Sequence, residues 1–314
     1  MNIALIYDAC FPVAGYGGTE RVVWWLAKGL SEQAHQVHLL CRSGSSSPFG
    51  PVHALDFSRF KEPSLPKIDL YHYFATPPFV PSNPYLVTIG GNGKMGESYL
   101  SNTVFVSRNH AQRHGSEQFV YNGIDPIDYQ FTEKKDRYWI FLAKASWKVK
   151  NVRGAIELAK QSKQTLRIVG GKKLFNLNPH IRWEGVLGGG RKAALLSRAC
   201  GLLFPVIWNE PFGLVVVEAL ISGTPVVASR RGSLPELIPA HVGALCDTQE
   251  EFLLAMENPE KYKASECRQW VMEKFHYRQM AAAYIEIYKK ILDGEILHAI
   301  PPKATEPPQL LLPF

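Results

Sequence analysis

Short, mostly apolar runs recur along the chain at intervals that a helix would fill. That alternation limits the fold more than any other feature. A first set comprises "NIALIY" (2–7), "QVHLLC" (36–41), "DLYHYF" (69–74), "YLVTIG" (85–90), "TVFVS" (103–107) and "QFVYN" (118–122). A second comprises "YWIFLA" (138–143), "LRIVGG" (166–171), "HIRWEG" (180–185), "GLLFPV" (201–206), "PVVAS" (225–229) and "GALC" (243–246). Runs of this kind fit strands buried on both faces, and such strands belong to parallel sheets covered by helices. Between the first two runs, Val22, Val23, Leu26, Ala27 and Leu30 recur at helical spacing within 17–33. Further helices are expected over 151–163, 190–199, 213–222, 249–256, 259–275 and 277–292. Two such sets in 314 residues imply two Rossmann-like α/β domains. The join falls in the polar stretch "FTEKKDR" (131–137), giving an N-terminal domain 1–130 and a second domain 131–280. The Ser-, Pro- and Gly-rich region 43–67 reads as a loop or flap. The tail 301–314 holds too many prolines for a helix; its "LLLPF" would pack on the surface, stay disordered or touch a membrane.

The net charge of +7 favours anionic partners, but it is scattered. The densest basic cluster is Lys144, Lys148, Lys150 and Arg153, and no arginine-rich run points to nucleic acid. Five cysteines without a C-x-x-C pair read as reduced, mostly buried thiols. The N-terminus lacks a basic start and Asp8 interrupts its apolar run, so no signal peptide is expected. No span reaches the ~18 apolar residues of a membrane helix. The expectation is a cytoplasmic protein, compatible with peripheral contact at the inner face of a membrane.

The chemistry concentrates in "WNEPFGLVVVEALISGTPVVAS" (208–229). Pro211 and Gly213 mark a strand-to-helix junction, and ligands of parallel sheets bind at the carboxyl ends of strands. A helix N-terminus there suits phosphate, which makes Phe212, Gly213 and Leu214 candidates for backbone contacts to an anion. Glu210 would point into the same crevice, unless it is an exposed turn carboxylate. Glu218 stands in an apolar helix and needs partners, because an unpaired buried charge is costly. Those partners are a ligand's vicinal hydroxyls or a salt bridge within the protein. No D-x-D motif and no His/Asp/Glu cluster with ligand spacing is visible, so no metal or other cofactor is expected.

These residues resemble a known family. "NEPFGLVVVEALISGTPVVAS" is similar to the E-x7-E region of retaining glycosyltransferases of the GT-B fold, family 4. "GYGGTERVVWWLAKGL" (15–30), "YNGID" (121–125), "FLAKASWKVKNV" (141–152), "RKAALLSRACGLLFPV" (191–206) and "RGSLPELI" (231–238) resemble other segments of that family. The resemblance implies two Rossmann-like domains facing a central cleft, with a final helix and tail (281–314) crossing back to the first. It implies a nucleotide-diphosphate sugar as donor, held by the second domain, with UDP-sugars preferred over GDP-sugars on family frequency. The acceptor, on the first domain's side, would be a glycan, a lipid-linked molecule or another hydroxyl. Glu210 would bind the donor sugar and stabilise positive charge as the glycosidic bond breaks. Glu218 would bind the ribose. Lys144 and Lys150 would neutralise the leaving diphosphate, with Lys148 an alternative because the loop is one residue longer than usual. Gly17 and Gly18 would let the backbone approach the diphosphate or the acceptor. The resemblance departs at Gly90, in "VTIGGNGK" (87–94), where the family often carries a sugar-contacting histidine. Asn92, Lys94 and His72 are the available substitutes, although His72 alternates with apolar neighbours in "LYHYF" and reads equally well as a core or rim histidine.

Three rival readings stand beside it, of which a GT-B hydrolase, phosphorylase or epimerase is disfavoured because its motifs differ. A dinucleotide fingerprint would need a third glycine at position 20, which is Glu20, so the dehydrogenase reading fails. A non-catalytic nucleotide-sugar binder or scaffold would share the donor site without turnover.

Overall fold

The computed structural model of the chain describes residues 1–13, 17–171, 178–307 and 311. Among these the chain forms two compact units: residues 1–124 together with 276–307, and Asp125–Phe275. The first contains β1 (Asn2–Ile6), α1 (Thr19–Glu32), β2 (Gln36–Cys41), β3 (Val52–Ala54), β4 (Leu70–Tyr73), β5 (Tyr85–Ile89), β6 (Thr103–Phe105) and the short α2 (Arg108–Gln112). Its sheet is wholly parallel, in the order β3-β2-β1-β4-β5-β6. The sixth strand is not the expected 118–122, which makes only a single parallel bridge, Phe119 to Phe105. It is β3, inside the presumed flap, where partial exposure leaves no apolar run to announce a strand.

The second unit contains β7 (Trp139–Leu142), α3 (Val152–Gln161), β8 (Leu166–Val169), β9 (Ile181–Gly185), α4 (Gly189–Arg198) and β10 (Gly201–Phe204). It continues with α5 (Leu214–Ile221), β11 (Val226–Ser229), α6 (Leu234–Leu237), β12 (Gly243–Cys246), α7 (Gln249–Glu257) and α8 (Ala264–Lys274). Its order, β12-β11-β10-β7-β8-β9, repeats the doubly wound plan of the first. The helix expected over 259–275 is a 3-10 turn, Pro259–Lys261, followed by α8.

The chain then returns to the first unit as α9 (Tyr277–Leu292). The unit boundaries therefore lie at 124/125 and 275/276, where 130/131 and 280/281 were expected. Backbone pairing accounts for this: Ile124 bridges His276, and the Tyr277 amide donates to the Ile124 carbonyl at 3.0 Å. Gly29 of α1 allows the close approach of α9, since a Cβ there would lie 2.8 Å from that of Ala281. Residues beyond α9 form a strap on the same unit. Its backbone pairs Gly96 with Ala304, Tyr99 with Pro302, Lys303 with His114 and Ala304 with Glu97 at 2.8–3.0 Å. Of "LLLPF", Leu311 alone is described, and it is exposed. Among the described residues no helix is long and apolar enough to cross a membrane.

Candidate functional site

In the second unit, successive strands run outward from β7 through β8 to β9 and from β10 through β11 to β12. The carboxyl ends of β7 and β10 thus flank a topological switch point, where open α/β sheets bind ligands. The loop after β7 carries the lysines and the loop after β10 carries Glu210.

A 3-10 turn, Lys148–Lys150, sorts the lysines. Lys148 faces solvent and Val149 is buried, its carbonyl accepting the Ile207 amide at 2.9 Å. The Lys150 ammonium donates to Glu210 Oε2 at 2.6 Å. Asn151 then turns left-handed at φ 54° and caps α3 through the Gly154 amide. Of the two alternatives, Lys150 is therefore the lysine that meets Glu210. Its ammonium lies 4.7 Å from the ring centre of Trp208 and 5.3 Å from that of Phe204, which favours a cation. Trp208 also donates its indole N–H to the same Oε2 at 2.7 Å. Glu210 is 6% exposed, so it is not a free turn carboxylate. Lys144 is exposed, with its ammonium 5.4 Å from the Trp147 ring. Trp147 meets Trp208 edge-on. These two tryptophans frame the lysines. No local pattern in the sequence assigns either of them a role.

The Glu210 loop is clasped by residues 231–233. Gly232 has φ +58°, and a Cβ on it would lie 2.3 Å from the Glu210 amide nitrogen. The Ser233 amide donates to the Glu210 carbonyl at 2.9 Å and its hydroxyl to the Phe212 carbonyl at 2.7 Å. The Phe212 side chain is buried edge-on against Phe275. Gly213, at φ +85°, precedes α5 and offers no side-chain cap. The first amides of the helix at Leu214 and Val215 are thus of the kind that helices leave to an anion.

Glu218 is the fifth residue of α5 and is 6% exposed. Its Oε1 accepts the Tyr129 hydroxyl at 2.7 Å and the Lys192 ammonium, from α4, at 2.7 Å. The salt bridge left open by the sequence is therefore present, with Lys192 as its cation and the Tyr129 hydroxyl as a second donor. The two carboxylates have separate partners: Lys150 and Trp208 for one, Lys192 and Tyr129 for the other.

The remaining candidates stand in the first unit. Gly17 and Gly18 occupy the loop between β1 and α1, at that unit's own switch point between β1 and β4. Gly15 lies outside the described residues. Of the readings open for His72, the structure bears out the core residue. It is fully buried, with its ring nitrogens 2.7 Å from the Tyr288 hydroxyl and 2.7 Å from Thr88 Oγ1, and burial lowers its pKa to about 3. Asn92 accepts from Arg113 at 3.0 Å, and Lys94 is exposed. Among the described residues no three His, Cys, Asp or Glu side chains are grouped to hold a metal ion.

Residues 126–268 match the family model described as Glycosyl transferases group 1. That match spans a little under half of the chain. The match takes in Lys144, Lys150, Lys192, Glu210 and Glu218. The chain is 32% identical, over 43% of its length, to an uncharacterized protein of the cps region of Klebsiella pneumoniae, covering 40% of that protein. It is 31% identical, over 36% of its length, to a phosphatidyl-myo-inositol mannosyltransferase of Mycobacterium leprae, covering 32% of that enzyme. The chain thus spans well under half of these relatives. Over most of its length it resembles the crystal structure of AviGT4, a glycosyltransferase involved in avilamycin A biosynthesis. That likeness has a TM-score of 0.77 at 22% identity and covers 94% of this chain and 98% of the other. Both units therefore have the Rossmann-like fold of GT-B glycosyltransferases.

Proposed function

We propose that the protein transfers a sugar from a nucleoside-diphosphate sugar to a hydroxyl acceptor, with retention of configuration and without a metal ion. The second unit holds the donor and the first serves the acceptor. One observation carries the reading: a largely buried lysine–glutamate pair at the strand switch point, beside an uncapped helix N-terminus, in the region that matches the family model.

Each group has a task in breaking the bond between the anomeric carbon and the diphosphate. The α5 amides and Lys144 bind the diphosphate, with phosphate attracted to the positive end of the helix dipole. Lys150 uses one of its three protons on Glu210 and keeps two for a phosphate oxygen. It therefore stands between sugar and leaving group. Both contacts to Glu210 fall on Oε2, so Oε1 is available to a sugar hydroxyl or to the charge that develops at the anomeric carbon. Such preorganised electrostatics are expected to dominate the rate. The acceptor oxygen replaces the diphosphate oxygen on the sugar, and its proton leaves with the diphosphate. The acceptor is a glycan, a lipid-linked molecule or another hydroxyl compound, and any membrane contact is peripheral.

A thermal-shift screen of nucleoside diphosphates and their sugars tests the reading, because a ligand of the folded state raises Tm. UDP- or GDP-sugars should stabilise the protein, UDP-sugars foremost. No shift with any of them would refute donor binding. Binding without sugar release, even with acceptors supplied, would instead favour the non-catalytic binder that the glycine at position 90 suggests.

A further inference from the structure

Resting on that donor reading, we propose that Lys192 and Tyr129 are positioning residues for the nucleotide. They turn Glu218 so that its Oε2 is the oxygen that receives the ribose hydroxyls. An ionised carboxylate has about four acceptor sites, two on each oxygen. The Tyr129 hydroxyl and the Lys192 ammonium, each at 2.7 Å, occupy both sites of Oε1. A carboxylate engaged in this way cannot embrace a vicinal diol with both oxygens. Recognition passes to Oε2, which takes neither contact.

The two partners come from different parts of the second unit. Tyr129 lies just after the unit begins, and Lys192 projects from the first turn of α4. Both are buried, Lys192 at 9% and Tyr129 at 7% exposure, and the ammonium sits 5.7 Å from the Tyr129 ring centre. Ring, ammonium and carboxylate thus hold one another in place. A buried ion pair of this kind is weak evidence of added stability, but it is well suited to fixing an orientation. Ser222, which caps the end of α5, donates to the Glu218 carbonyl at 2.9 Å and steadies the backbone below it. The chemistry selected is a nucleoside diphosphate with an intact ribose, whichever base it carries.

The test is calorimetric titration of the full chain and its variants. The probes are UDP or GDP, whichever the wild type holds more tightly, and the 2′,3′-dideoxy form of the same nucleotide. Losing a hydrogen bond to a charged group should weaken wild-type binding about 10–100-fold when the hydroxyls are removed. Lys192→Met and Tyr129→Phe should each weaken the hydroxylated nucleotide by about tenfold while changing the dideoxy form less than about twofold. Tyr129→Phe removes one oxygen atom and keeps the ring, so it decides the matter if Lys192→Met fails to fold. Equal losses on both nucleotides, or no loss on either, would overturn the inference while leaving the donor reading intact. So would a wild type indifferent to the ribose hydroxyls. A wild type that binds neither nucleotide would overturn the donor reading and this inference with it.

Discussion

Glu210 and Lys150 show how one residue can be asked to do two things. Lys150 holds the carboxylate and, on the proposed reading, also meets the phosphate. Removing it leaves a buried carboxylate whose other contact is Trp208. Lys150→Ala should therefore lose about 3 kcal/mol of stability, measured by urea denaturation, as well as donor turnover. Lys144 is exposed and should behave differently: Lys144→Ala is expected to stay within about 0.5 kcal/mol of wild type in stability while weakening binding of the diphosphate. At this scale the sequence was only half legible. Two glutamates with the right spacing could be seen, because one follows a turn and the other interrupts an apolar helix. Their partners could not. Lys192 sits in "GGRKAAL" and reads as a surface residue of a helix start, and Tyr129 reads as part of a connection. Their pairing with Glu218 is long-range, and no periodicity reports it.

Elements place these side chains through close backbone contacts. Gly232 is the clearest case, since its left-handed φ and the 2.3 Å approach to Glu210 leave no room for a side chain. Gly232→Ala should cost about 1–3 kcal/mol and shift the Glu210 loop, seen as lost turnover together with a lower Tm. In the first unit α9 is fastened to the sheet by hydroxyls, Tyr288 to His72 and Tyr284 to Thr88. Burial holds the His72 pKa at about 3, against about 6.5 in the unfolded chain. Between those values the unfolded chain takes up a proton that the folded one refuses. Stability present above pH 6.5 is therefore lost as the pH falls, by about 2 kcal/mol from this residue on reaching pH 5. Buried His110, also lowered, adds to the same trend. Urea midpoints at pH 7 and pH 5 should show this loss, and His72→Gln should flatten it. An unchanged pH dependence in that variant would place the loss elsewhere. Strands with apolar runs were legible at this scale, whereas β3, half-exposed at a sheet edge, was not.

At the scale of the molecule, the doubly wound plan was legible twice over, because buried parallel strands write themselves as apolar runs. The unit boundaries were less so, since the pairing of Ile124 with His276 joins residues far apart in sequence. The strap after α9 was equally hidden among its prolines. Ending the chain at Gly294 should speed amide exchange over residues 96–118, which the strap pairs, while the second unit's exchange stays as in the full chain. Uniform exchange across 96–118 with and without the strap would contradict its structural role. The proposed activity belongs to the whole protein as an enzyme, and turnover of a donor by the full chain and by Glu210→Gln tests it. The wild type should release sugar from at least one UDP- or GDP-sugar. The variant should bind the same nucleotide within a few-fold yet turn over about 10²–10³-fold more slowly. Equal turnover by the two proteins would contradict the role given to Glu210 and, with it, the proposed mechanism.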